Sequence, residues 1–161
     1  MSFFPTADNL SSVVLQPDEG KAFEVLGDTV TVKVSGEDTG GAFAIMHEVS
    51  PPKGGPPPHV HHREDEAFYV LEGEYEVQCG DRKIRAVPGS FVFAPRDIPH
   101  AFRNVSAGTG KVLITIAPAG IEKFFEELSA LSNAASGSPD LNQVKELAKQ
   151  YDIEILVRED L

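Results

Sequence analysis

Turn residues punctuate this chain about every ten residues between about residue 12 and residue 117, and the runs between them are short and rich in strand-forming residues. Residues 30–34 (VTVKV) alternate apolar and polar side chains, and residues 42–49 (AFAIMHEV) are mostly apolar. Residues 67–71 and 75–79 flank Glu72-Gly73-Glu74, a hairpin signal. Gly80-Asp81 leads into 83–87, Pro88-Gly89 leads into 90–94 (SFVFA), and 100–105 and 111–117 lie on either side of 106–110 (SAGTG). This rhythm predicts an all-β sandwich or barrel, not alternating strands and helices. The stretch 51–58 (PPKGGPPP) reads as a loop between strands; its glycine pair argues against a polyproline ligand.

After residue 119 the periodicity changes. Ile121, Phe124, Phe125, Leu128 and Leu131 recur with helical spacing, and residues 133–139 (NAASGSP) interrupt it. Asp140 is a plausible N-cap for a second helix to about residue 150, with Leu141, Val144, Leu147 and Ala148 as its apolar face. A short apolar run, 153–157, follows. A tail of about 40 residues is too small for a second core. The expected organisation is therefore a β domain over 1–119, including an N-terminal extension, with a helical tail over 120–161 packed on its outside.

A length of 161 residues with 41% hydrophobic residues suits one domain with a proper core. A formal net charge of −11 argues against nucleic acid and against an anionic membrane surface as partners. It also opposes a helix-turn-helix reading of the tail. The one cysteine, Cys79, excludes an internal disulfide and reads as a small buried structural residue. The opening MSFFPTADNL lacks the pattern of a signal peptide, and nowhere do about 18 apolar residues run together. A reducing cytoplasm is the default compartment.

Four of the five histidines, His59, His61, His62 and His100, fall within or just after a segment that also holds Glu64, Asp65 and Glu66. In a strand, residues two apart share a face, so His59 and His61 project together. Paired imidazoles with a carboxylate and a later imidazole are the raw material of a transition-metal site. Glu66, Phe68 and Val70 share one parity, as do His100, Phe102 and Asn104, and Tyr75 and Val77 are placed to line a wall from the next strand. An apolar pocket with a few polar groups suits a small organic ligand; Phe68, Tyr75 and Phe102 are its candidate lining.

His59-x-His61-x4-Glu66-x6-Gly73 resembles the first signature of the cupin superfamily, and Gly89-x5-Pro95-x4-His100-x3-Asn104 resembles the second. Two departures are visible: Lys53 stands where a glycine usually precedes the histidine pair, beside Gly54 and Gly55, and Asp97 replaces a glycine of the second motif. Among cupins, GGPPPHVHHREDEAFYVLEGE and the tail ending QYDIEIL look most like the small single-domain bacterial quercetin-dioxygenase-like proteins. The resemblance implies a double-stranded β-helix, or jelly-roll barrel. It implies a divalent transition metal (Fe, Mn, Ni or Zn) held by His59, His61, Glu66 and His100, and a homodimer. Three imidazoles and one carboxylate suit those ions, and an octahedral ion would keep two positions open.

Blander readings compete at each position. His62 has the opposite parity to His59 and His61 and is assigned to the surface or to a place beside the ligands. Glu64 and Asp65 are read as solvated charges. Glu66 is either a ligand or a catalytic base. His47, in an apolar strand, is favoured as a structural histidine over one reaching the site. Phe91 and Phe93 are read as core packing. The leading functional expectation is a metal-dependent, dioxygenase-like oxidoreductase acting on a small hydroxylated or enol-type substrate. A metal-dependent isomerase or lyase and a noncatalytic metabolite-binding barrel are the alternatives, because fold alone does not decide function.

Overall fold

The computed structural model describes residues 11–135 and 138–157; the opening residues 1–10, on which the signal-peptide reading rests, positions 136–137 of the predicted helix break, and residues 158–161 lie outside that description. The strands run in the order β1 (Lys21–Val25), β2 (Asp28–Val34), β3 (Ala44–Ser50), β4 (His59–His61), β5 (Asp65–Glu72) and β6 (Tyr75–Cys79). They continue with β7 (Arg82–Ala86), β8 (Phe91–Ala94), β9 (His100–Asn104), β10 (Gly110–Ala117) and β11 (Ile153–Ile155). A one-turn helix α1 (Gly36–Thr39) follows β2, and α2 (Ile121–Ala134) and α3 (Leu141–Lys149) precede β11.

Two antiparallel sheets form a jelly roll. One has the order β1-β2-β3-β10-β5-β8, the other β11-β4-β9-β6-β7. Alternation decides which side chains go inside. Phe68 and Val70 of β5, Val112, Ile114 and Ile116 of β10, Tyr75 and Val77 of β6, and Phe102 of β9 are all buried between the sheets. The Phe68 and Phe102 rings lie 4.9 Å apart and the Tyr75 ring is edge-on to Phe102 at 5.8 Å, so aromatic packing fills the middle of the barrel.

Two sequence expectations need correction. Phe91 and Phe93 are 63% and 55% exposed, while Val92 and Ala94 point inward. A strand apolar on both faces carries no parity signal for its orientation, and the smaller pair fits against the filled barrel. The helical tail packs on the barrel, α2 against β1 and α3 against β11, and Ile121, Phe124 and Leu128 of α2 and Val144 of α3 are buried and line a cavity. The apolar run after them is the strand β11, which pairs with β4 through Ile153↔His61 and Ile155↔His59. The Asp140 carboxylate caps α3 by accepting from the Asn142 N–H at 3.3 Å, as its sequence position predicts. Cys79 is half-buried rather than buried. Among the described residues no helix is long and apolar enough to cross a membrane.

The loop 51–58 is held down at several points. Asn104, fully buried, donates from Nδ2 to the carbonyls of Ser50, Pro51 and Gly108. Its backbone exchanges hydrogen bonds with Lys53 and Gly54. Both departures from the signatures fall on left-handed backbone, Lys53 at φ 70° and Asp97 at φ 67°. The usual glycines therefore answer a conformational need, which Asp meets at modest cost. Gly55 has no such latitude: its φ is 122°, and a Cβ there would collide with the Phe102 carbonyl. Gly55→Ala is expected to destabilise the fold by roughly 2 kcal/mol in denaturant unfolding; an unchanged midpoint would show that this loop is not pinned to β9.

Candidate metal centre and its cavity

His59 and His61 come from β4, Glu66 from β5 and His100 from β9, so the group draws on both sheets. Register does the positioning. His59 pairs with His100 across β4 and β9, and Glu66 occupies an inward position of β5. One ligand atom from each of the four residues lies within 4.8 Å of all the others, and all four residues are buried. The rings of His59 and His100 are 4.4 Å apart and those of His59 and His61 are 4.9 Å apart.

The far side of each ring decides what the near side offers. His59 Nδ1 lies 2.7 Å from the Pro57 carbonyl and His100 Nδ1 lies 3.0 Å from the Ile98 carbonyl. A carbonyl only accepts, so each Nδ1 carries a hydrogen and each ring turns its Nε2 inward. His61 Nδ1 faces the Glu64 carboxylate at 3.4 Å, and neither atom has a hydrogen-bond partner among the described residues. On their inner sides His61 Nε2 and His100 Nε2 lie 3.2 and 2.8 Å from Glu66 Oε2. Three inward-facing imidazole nitrogens around a buried carboxylate form a donor set that a divalent transition cation fits, the cation replacing the inner ring hydrogens. The outer hydrogen bonds are of the kind that orient such ligands.

Electrostatics points the same way. Burial, then the neighbouring His100, pushes the His59 imidazole down to about 4. Burial also opposes charge on His61, but the Glu64 and Glu66 carboxylates beside it outweigh that and raise the ring to about 9. Burial disfavours the Glu66 carboxylate, yet His100 and His61 hold it well below the usual carboxylate range. Glu66 is thus ionised and acceptor-only beside the rings.

Among the remaining candidates, the structure departs from the sequence reading at Glu64 alone. Glu64, read as a solvated charge, is 2% exposed and backs His61; it sits in the bend before β5, where parity gives no guide. Asp65 is partly exposed and bound by Arg96, which holds its carboxyl down at about 2. His62 is exposed, bridged to Asp97 at 2.7 Å and to Glu154 at 3.3 Å, contacts that raise its pKa. His47 lies on the outer face of β3, where partial burial and then Lys33 and Lys111 lower its pKa.

A cavity of about 90 Å³ adjoins the group, with His59, His61 and Glu66 in its wall. Of the three pocket candidates, Phe102 lines it, whereas Phe68 and Tyr75 pack behind Phe102. The ring stack that fills the barrel leaves them no access. Ile114, Ile116 and the α2 residues Ile121, Phe124 and Leu128 make the cavity mostly apolar. Two acids missed by sequence reasoning also line it: Asp28, 6% exposed, and Glu48, 5% exposed. The signal was present, since Glu48 shares parity with buried Met46 and Asp28 with buried Val30.

Burial, then the proximity of Asp28, pushes the Glu48 carboxyl well above its usual range; burial likewise raises Asp28, against a hydrogen bond from Glu48. Ser50 Oγ donates to Glu48 Oε1 at 3.2 Å.

A family model described as "Cupin domain" matches residues 46–116. The chain is 28% identical over 122 residues to quercetin 2,3-dioxygenase of Bacillus subtilis, covering 75% of this chain and 36% of that protein. The chain thus spans about a third of the length of that curated relative. Among solved structures, KdgF from Halomonas sp. superposes with a TM-score of 0.63 at 19% identity, covering 70% of this chain and 99% of that one. At 19% the likeness speaks for the fold alone. The polyketide cyclase RemF from Streptomyces resistomycificus gives a TM-score of 0.59 at 25% identity, covering 66% of this chain and 80% of that one.

A carboxyl whose folded pKa is raised must take up a proton on folding once the pH exceeds its unfolded value of 4.5. Stability is therefore lost as pH rises from that value toward the raised one. As the pH rises above about 5, the thermal midpoint of the wild type is expected to fall by several degrees more than that of Glu48→Gln. Parallel melting curves across that range would remove the case for a proton-carrying Glu48.

Proposed function

The chain belongs to the cupin superfamily, and from that premise we propose that it is a metal-dependent, dioxygenase-like oxidoreductase acting on a small hydroxylated or enol-type molecule. The observation that carries this reading is the convergence of the His59, His61 and His100 nitrogens with the Glu66 carboxylate beside an apolar cavity. The 28% identity to a quercetin dioxygenase supports the oxidative branch. When bound, an Fe, Mn, Ni or Zn ion would supply Lewis-acid stabilisation of the negative charge on an enolate oxygen and a meeting point for a second reactant.

The chain's own residues do the rest. Glu64, Pro57 O and Ile98 O keep the rings oriented. Glu66, ionised in place, is either a ligand or the acceptor of a substrate hydroxyl proton. Phe102, Ile114, Ile116 and the α2 side chains keep water away from the reacting oxygen. The cavity also bounds the substrate. An apolar cavity of about 150 Å³ accommodates one benzene ring, so a space of about 90 Å³ favours a compact enol over a three-ring flavonol.

Metal analysis of protein purified without added metal is the first test, with one divalent ion per chain expected. The double variant His59→Ala/His61→Ala should bind no stoichiometric metal, and Glu64→Gln should bind about 10- to 100-fold more weakly. Full occupancy in the double variant would refute the ligand assignment. Oxygen uptake by the loaded protein is then expected with small enolisable 1,3-dicarbonyls and not with flavonols. Silence across the whole panel would remove the oxidative reading.

A second reading, a metal-dependent isomerase or lyase, is favoured by one observation, the proton-retaining Glu48–Asp28 pair in the cavity wall. Turnover that persists without oxygen distinguishes it. The proposed assembly is a homodimer. Tyr69, Phe91, Phe93 and Leu113 are exposed on the outer face of the first sheet, with Phe91 paired to Tyr69 and Tyr69 to Leu113. They lie at its β8 edge, where a second copy would cover them. Sedimentation should show a dimer that Phe91→Glu/Phe93→Glu converts to monomer; a monomeric wild type would exclude it.

A further inference from the structure

The mostly apolar cavity wall carries two polar poles, the histidines of one drawn from the sheet facing the other. One is the histidine group with Glu66; the other is Asp28 with Glu48, contributed by the adjacent strands β2 and β3. Asp28 sits at the start of β2, and Glu48 lies two residues before the end of β3. The histidine ligands come from β4 and β9 of the facing sheet. A ligand filling the space between the sheets therefore meets both poles.

The second pole is unfinished as a piece of structure. Asp28 Oδ1 is buried and has no hydrogen-bond partner among the described residues. Glu48 and the Gly55 backbone lie beside the Asp28 carboxyl group and act against the rise that burial imposes on it, and Ser50 Oγ donates to Glu48. A buried acceptor left without a donor costs free energy of the same order as a hydrogen bond, so such atoms call for an explanation. The charged or titratable neighbours do not supply a donor. Glu24 and Glu66 act on the pair as further negative charge, and the Tyr75 hydroxyl, buried and pushed up to about 12, has no partner of its own. No Lys or Arg lines the cavity among the described residues.

We propose that Asp28 and Glu48 form a clamp for a hydroxyl or amino group of a small ligand whose other end lies at His59, His61, Glu66 and His100. The clamp deepens the functional reading above and rests on it for the identity of the opposite pole. An acceptor pole with no cation nearby selects a neutral or cationic donor and rejects a carboxylate or phosphate. The ligand class that follows is a compact carbonyl or enol compound bearing a second hydroxyl or amino group, with the apolar wall covering the carbons between. The open acceptor at Asp28 Oδ1 suits a hydroxyl or amino group, whose hydrogen it would receive.

Two ketones of nearly equal shape test this directly. Hydroxyacetone carries the donor and methoxyacetone has it capped by a methyl group. Binding is followed by NMR of the Ile114 and Ile116 methyl groups, with zinc-loaded and with zinc-free protein, and zinc content is measured separately. Wild type should bind hydroxyacetone about tenfold more tightly than its ether. Asp28→Asn and Glu48→Gln should each reduce that preference to about twofold or less, with zinc still at one per chain. Equal binding of the two ketones by wild type overturns the clamp whatever the variants do. A preference that survives in either folded variant overturns it as well. Failure of the wild type to take up zinc, with the ketone preference intact, overturns the metal reading and leaves the clamp standing.

Discussion

His59 and His100 stand opposite one another across the pairing of β4 with β9, and that register is what the candidate centre depends on. Side chains in a strand alternate between faces, so a slip by one residue would turn His59 and His61 out of the barrel and Val60 into it. Strand β4 is three residues long and has one register partner on β9. It cannot hold its own position. Support comes from both ends: the loop 51–58, tied to Asn104 and Asp28, fixes the entry, and β11 pairs with all three residues on the other side. A strand drawn from the end of the chain thus holds two of the four prospective ligands in register.

Charge is arranged around that constraint. The chain is strongly acidic, and its cavity carries acids at both poles. They are held in different states by different surroundings. Glu66 is kept ionised by two imidazoles, whereas Glu48, with a carboxyl and a hydroxyl for company, is pushed toward its neutral form. One apolar enclosure therefore contains a carboxylate kept charged by its neighbours and a carboxyl group that burial and a second acid push toward neutrality. Pairs of titratable groups driven apart in this way are the usual basis of acid–base division of labour.

Much of this was legible in the residues. β6 falls where the Glu72-Gly73-Glu74 turn places it, and Asp140 caps the helix it was expected to cap. The spacing that singled out His59, His61, Glu66 and His100 corresponds to four buried side chains drawn together. The misses have physical reasons. Phe91 and Phe93 alternate with apolar neighbours, so parity could not orient β8, and ring size was a poor guide to burial. Glu64 lies in a bend, outside any periodic pattern. Asp28 and Glu48 shared parity with core residues, but a lone acid among apolar neighbours reads as exposed unless its partner on the adjoining strand is known. The inward role of the tail was hidden because helix periodicity identifies an apolar face without identifying what that face meets.

The cavity roof follows from that last point. Its helical side chains come from residues 121–144, while every candidate ligand lies between positions 59 and 100. Part of the chamber's shape is thus set in a different stretch of the chain from the candidate donor atoms. Exchange of Phe124, Leu128 or Val144 for larger or smaller side chains alters the shape of the chamber without touching a donor atom. A lineage can retune what enters this barrel by drift in a terminal segment, with the inherited chemistry left undisturbed.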